Sequence, residues 1–199
     1  MESIRKDFTT MTIVLIPVAI AINVAIGGVV RLLALPIFVD SIGTIFVAVV
    51  AGPWAGALTG ILTNVFMGLA VDPGWLPWFG VSAVIGLTAG FLGIAGMFRS
   101  WGRVVVSGLI IALASIVVSS ITNLVVYGGL APDPTVAITA FFLEQGFSDV
   151  AAVFATNFIL EPIDKVATAL LAYAIVKGLS GRYLARLPRA ENTVTQSGS

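Results

Sequence analysis

The sequence predicts an all-α integral membrane protein, a compact bundle of six transmembrane helices with both termini in the cytoplasm. Three observations carry this reading. The 199 residues are 58% hydrophobic and only 10% charged, whereas a soluble domain holds roughly 25% charged residues. Apolar runs recur at lengths close to the ~20 residues that cross a bilayer as a helix. The cations are also sorted: eight of the ten Lys and Arg residues fall into three clusters, Arg5 and Lys6, Arg99 and Arg103, and Lys177, Arg182, Arg186 and Arg189. Cytoplasmic loops carry such an excess of Lys and Arg. Six crossings from an inside start place all three clusters on that side, and five or seven would strand one.

Residues 1–10 form an N-terminal tail, and residues 11–179 the membrane domain. The first span, 11–30, is long and lacks a persuasive cleavage site, so a retained helix is expected rather than a signal peptide. Arg31 and a short outer loop follow, in which Pro36 opposes helix. The second span, 38–51, is short for a crossing, and is expected to be tilted, partly buried in protein, or begun deep in the outer leaflet. Gly52-Pro53-Trp54 makes an inner turn before the third span, 55–71. Asp72-Pro73-Gly74 is an outer turn signature, flanked by Trp75 and Trp78 as interfacial aromatics. The fourth span is 79–98 and the fifth 104–127. Residues 135–146 suit a short amphipathic surface helix. Ser148 or Asp149 is placed to cap the last span, 149–178. The tail, 180–199, is basic and then polar, and is expected to fray.

Composition also excludes. Zero net charge leaves no basic surface for nucleic acid. The absence of Cys and His removes thiol chemistry, disulfides, imidazole bases and most zinc or haem sites. No cofactor is expected and no metal-ligand spacing is present, so an intramembrane enzyme is disfavoured.

Small residues fall in rows. Gly52, Gly56, Gly60, Asn64 and Gly68 are spaced by four, and Ser82, Gly86, Gly90 and Gly93 do similar work in the fourth span. Such rows let helix backbones approach closely in lipid, and intramolecular packing is the expected use. In the first span Ala21 and Ala25 form a similar pair, for which internal packing and docking of a partner's helices are equally open.

The last span carries the most unusual stretch. Asn157, Glu161, Asp164, Lys165 and Thr168 share one helix face, and Pro162 interrupts the backbone hydrogen bonds there. Charges at that depth must face protein or water. Candidate companions in the outward half are Arg31, Asp40, Ser41, Thr44, Asn64, Ser119, Asn123 and Tyr127, with Trp75 and Trp78 above. The candidate binding set is therefore Arg31, Asp40, Thr44, Asn64, Trp78, Asn123, Tyr127, Asn157, Glu161, Asp164 and Lys165. Internal ion pairs, Lys165 with Glu161 and Arg31 with Asp40, are the structural alternative, and both uses can coexist.

Three segments resemble the substrate-binding S components of energy-coupling factor vitamin transporters. They are Ala21-Ile-Asn-Val-Ala25, the stretch Leu35-Pro-Ile-Phe-Val-Asp40-Ser-Ile-Gly43-Thr44 continuing to Gly52-Pro53-Trp54-Ala-Gly56, and Glu161-Pro-Ile-Asp164-Lys165. The resemblance spans about residues 10–180. It implies a subunit that binds a vitamin or related micronutrient from outside, with the first loop as a lid. It further implies that Ala21 and Ala25 contact a transmembrane T component, and that two cytoplasmic ATPases drive the subunit to topple inward. The chain has no Gly-x-x-x-x-Gly-Lys-Ser/Thr phosphate loop of its own. The ligand does not follow from the resemblance; a flavin, a pyrimidine and a pyridoxine-like compound stay open. The alternative function is a stand-alone proton- or ion-coupled carrier using Glu161, Asp164 and Lys165 as a relay.

Overall fold

The computed structural model describes residues 2–33, 35, 37–189 and 193, with backbone only for 2, 3 and 31. The described residues are helical with no strand, in the order α1 Glu2–Asp7, α2 Thr10–Leu32, α3 Ile42–Ala51, α4 Pro53–Ala70, a 3₁₀ segment Pro73–Trp78, α5 Phe79–Ile94, α6 Trp101–Tyr127, α7 Val136–Glu144, α8 Asp149–Gly178 and α9 Gly181–Leu184. Four stretches are long and apolar enough to cross a membrane: Thr10–Val30, Pro53–Ala70, Pro73–Ile94 and Trp101–Tyr127. α8 is longer than all of these, at 30 residues, but it carries Glu161, Asp164 and Lys165 in its middle.

The surface supports the membrane reading. Val14, Val18 and Val29 of α2, Leu113, Val117 and Val125 of α6, and Phe158 and Ile163 of α8 all point outward and are exposed. The same helices bury polar side chains: Asn23 on α2, Ser115, Ser119, Ser120 and Asn123 on α6, and Asn157 and Thr168 on α8. A chain in water would reverse this. In lipid, apolar faces go out and polar side chains join helices.

α3 sits at the centre. Every one of its ten residues is buried, and at 1.5 Å per residue it is about 15 Å long, half the ~30 Å hydrocarbon core. The expected second span is therefore a core helix that starts at Ile42, with residues 37–41 entering it as non-helical chain. Its bulky Val and Ile side chains fill the space between neighbours, and Gly43 lets α2 approach: a Cβ there would lie 2.2 Å from the Ala19 carbonyl oxygen. Asn23 fixes the same junction. Its Nδ2 donates to Thr44 Oγ1 at 2.9 Å and to Thr63 Oγ1 at 3.0 Å, and its Oδ1 accepts from Gly43 N at 2.7 Å. One buried amide thus joins α2, α3 and α4.

The two glycine rows pack on each other, as internal packing requires. A Cβ on Gly86 would lie 2.4 Å from Ala57 N and from Gly56 C, and one on Gly60 2.6 Å from Ser82 O. Gly86→Ala is expected to destabilise the bundle by about 1–3 kcal/mol through overpacking. Gly80→Ala is its control on the same helix, since an added methyl there meets nothing within 4 Å. Thermal unfolding in detergent measures both, and equal melting temperatures would refute the α4–α5 interface.

The tails meet at one end of the bundle. Asp7 is fully buried. Its Oδ2 accepts from Trp54 N at 3.1 Å and so satisfies a free amide in the first turn of α4. Arg189 binds Asp7 Oδ1 through Nη2 at 2.7 Å and Nε at 2.8 Å, and its backbone N donates to Val50 O at 3.0 Å. Gly52, at φ 122°, has to be glycine: a Cβ would sit 2.2 Å from the Asp7 carboxylate. The tail was expected to fray from residue 180. As far as Arg189 it packs instead, with Leu184 and Leu187 buried; residues 190–192 and 194–199 lie outside the described residues.

α7 lies within the stretch read as a short surface helix. Its buried residue is polar, Thr139, which bonds Thr156 Oγ1 of α8 at 3.0 Å. Val136 and Phe141 are exposed, so the helix turns apolar side chains away from the bundle and a polar one toward it, an arrangement open to a surface helix at the lipid boundary.

Candidate functional site

A cavity of about 100 Å³ opens at the end of the bundle opposite the tails. That is several times the ~10–15 Å³ one water requires. Its walls come from every part of the chain: Gly27 and Val30 of α2, Phe38, Asp40 and Ser41 of the entering loop, Asn64 of α4, and Trp75 and Trp78 of the 3₁₀ segment. Ser82 and Ile85 come from α5, Ser119 and Asn123 from α6, Asp133 and Thr135 from the loop before α7, and Asn157, Glu161 and Lys165 from α8.

The floor is an ion cluster on α8. All five residues of the polar face, Asn157, Glu161, Asp164, Lys165 and Thr168, are buried, with Glu161 3%, Asp164 1% and Lys165 2% exposed. Lys165 Nζ donates to Asp164 Oδ2 and stands 3.3 Å from Glu161 Oε2. It also lies 5.9 Å from the centre of the Phe38 ring, within cation–π range. The other oxygen of Asp164 accepts from two successive backbone amides, Phe38 N at 2.9 Å and Val39 N at 2.7 Å. Asp164 therefore holds the loop that carries Phe38 and Asp40 to the cavity. Val39 adopts φ 46°, a left-handed conformation that costs a β-branched residue about 1–3 kcal/mol. The two amide bonds to a buried carboxylate offset that cost.

The three wall asparagines each tie two pieces of chain together. Asn64 Nδ2 donates to Ser82 Oγ at 2.6 Å, Asn157 Nδ2 donates to Ser120 Oγ at 2.8 Å, and Asn123 Oδ1 accepts from Ala131 N at 3.1 Å. The roof is equally braced. Trp78 stacks on Tyr127 with ring centres 5.8 Å apart and planes 15° apart, and Tyr127 donates its hydroxyl to Gly74 O at 2.7 Å. Asp72 turns the chain by accepting from Gly74 N at 2.9 Å.

The structure thus gathers Asp40, Asn64, Trp78, Asn123, Asn157, Glu161 and Lys165 around one cavity. Tyr127 and Asp164 stand behind the wall, bracing Trp78 and the entering loop respectively. Thr44 belongs to the Asn23 junction. The Arg31 side chain lies outside the described residues, and the pairing of Arg31 with Asp40 with it; the pairing of Lys165 with Glu161 is present. Reasoning from sequence did not assign Asp133, Thr135 or Ser82 to the site. Asp133 sits in a turn-rich loop, and only the fold of that loop over α6 brings it to the cavity.

Ala21 and Ala25 are exposed on α2, between exposed Val18 and Val29. A Cβ on Gly28, one turn further, meets nothing within 4 Å. Packing among the described residues accounts for neither alanine nor for Gly28. No family model, curated protein or solved structure matches the chain.

Proposed function

We propose that the chain is the substrate-specific subunit of an ATP-driven importer of the energy-coupling factor type. In this reading it crosses the cell membrane six times with both termini in the cytoplasm. α3, too short to span alone, and α8, the charged helix, account for the remaining two crossings. The cavity faces outward and binds a vitamin or related micronutrient, which the subunit delivers inward together with a transmembrane T component and two ATPases. The observation that carries the reading is the pairing of two features on one small chain: a braced polar cavity at one end, and a face of small residues on α2 that the chain itself leaves uncovered. The first suits capture of a small molecule and the second suits close approach of a partner's helices.

The test separates the two features. Ala21→Leu and Ala25→Leu are expected to leave the melting temperature unchanged, since both positions are exposed, and to abolish co-purification with the T component and ATPases. Retained assembly would sink the docking assignment. Uptake driven by an ion gradient in liposomes holding only this chain would favour the stand-alone carrier, for which the buried Glu161, Asp164 and Lys165 are the motivating feature.

A further inference from the structure

We infer that the cavity takes a small organic cation with a planar face. The inference rests on the reading of the cavity as a substrate site, and it names the chemical class of that substrate. The charge on the wall is lopsided. Asp40, Asp72, Asp133 and Glu161 line the cavity, against Lys165 as the cation among the described residues. Lys165 is engaged by Asp164 and Glu161, so its ammonium is directed at the protein's own carboxylates. Asp164, behind the wall, adds a fifth carboxylate to the cluster. A cleft walled by one sign of charge concentrates ions of the other.

Glu161 is the most exacting member. It is 3% exposed, its Oε2 makes no hydrogen bond, and that oxygen has only the ammonium of Lys165 at 3.3 Å. Buried carboxylate oxygens ordinarily accept hydrogen bonds as well, and a donor entering the cavity supplies one. A positively charged donor gains attraction from the surrounding carboxylates as well.

The aromatic roof specifies the rest of the ligand. Trp78 is held in plane by its stack on Tyr127, and a rigid indole beside carboxylates suits a delocalised cation by stacking and cation–π attraction. A bare metal ion fits poorly: no three acidic side chains among the described residues converge closely enough to hold one. The carboxylates are distributed between loops at the roof, Asp72 and Asp133, and the floor, Asp40 and Glu161, as suits an extended organic molecule.

Three probes with one ring and three charges test this: benzamidinium, benzamide and benzoate, titrated by calorimetry against the full chain in lipid nanodiscs. Benzamidinium is expected to bind about tenfold more tightly than benzamide, and benzoate more weakly than both. Asp40→Asn is expected to remove most of that preference at an unchanged melting temperature, and Trp78→Ala to weaken benzamidinium and benzamide alike. Equal or tighter binding of benzamide or benzoate overturns the inference, as does the absence of any benzamidinium binding. A preference for benzoate would reverse the sign of the ligand and leave the uptake-subunit reading standing. A cation preference in a chain that assembles with no ATPase partner would keep the inference and remove that reading.

Discussion

Lys165→Met is expected to destabilise the protein by about 3–5 kcal/mol, the cost of leaving buried charge without its partner. Met keeps the length of the side chain and much of its packing, so the loss reports charge. With the ammonium gone, Asp164 and Glu161 face each other's charge at 1% and 3% exposure. Asp164 retains the two loop amides, while Glu161 Oε2 has no hydrogen-bond donor among the described residues. The double variant Glu161→Gln/Lys165→Met removes one orphaned charge and is expected to recover part of the loss. Thermal unfolding in detergent measures the series. A melting temperature unchanged in Lys165→Met would mean that water reaches the cluster freely and that the ion pairs contribute little.

Asp164→Ala is expected to free the loop before α3. Two backbone amides lose their acceptor, and the about 1–3 kcal/mol that an unsatisfied buried group costs adds to the strain held at Val39. The loop then relaxes toward an ordinary backbone conformation and withdraws Phe38 and Asp40 from the cavity. Amide hydrogen exchange at Phe38 and Val39 should accelerate by roughly tenfold or more, and binding of any ligand contacting Asp40 should weaken. Asp164→Asn separates position from charge. Its carbonyl oxygen can still accept from both amides, so exchange should stay slow while the contact with Lys165 weakens. Equal exchange in Asp164→Ala and the unmutated protein would show that the loop holds itself.

The polar face of α8 was legible because helical spacing alone puts Asn157, Glu161, Asp164, Lys165 and Thr168 together, and charge at membrane depth has few bland explanations. The turn at Asp72, the cap at Ser148, whose Oγ accepts from Ala151 N at 3.4 Å, and the interlocked glycine rows were legible for the same kind of reason: each is a local rule. α3 was not. A helix that is apolar on all sides reads alike whether it meets lipid or protein, and only its length hinted that it lies inside. Asn23 gave a faint signal, a lone amide in an apolar helix, but its partners Thr44 and Thr63 come from two other helices. Thr44 was accordingly assigned to the site when its hydroxyl serves that junction. Asp7 and Arg189 gave less still, because nothing local distinguishes a paired terminal charge from a solvated one.

That last pair has a consequence for the order of folding. Asp7 and Arg189 are separated by 182 residues, nearly the whole chain, so closing this contact carries a large loop entropy unless the intervening helices are already assembled. Asp7 is made early, and its partner emerges only after α8 has been synthesised. Until then its carboxylate has no guanidinium. The ion pair is thus a closing step, available only to a chain whose helices have already brought its two ends together.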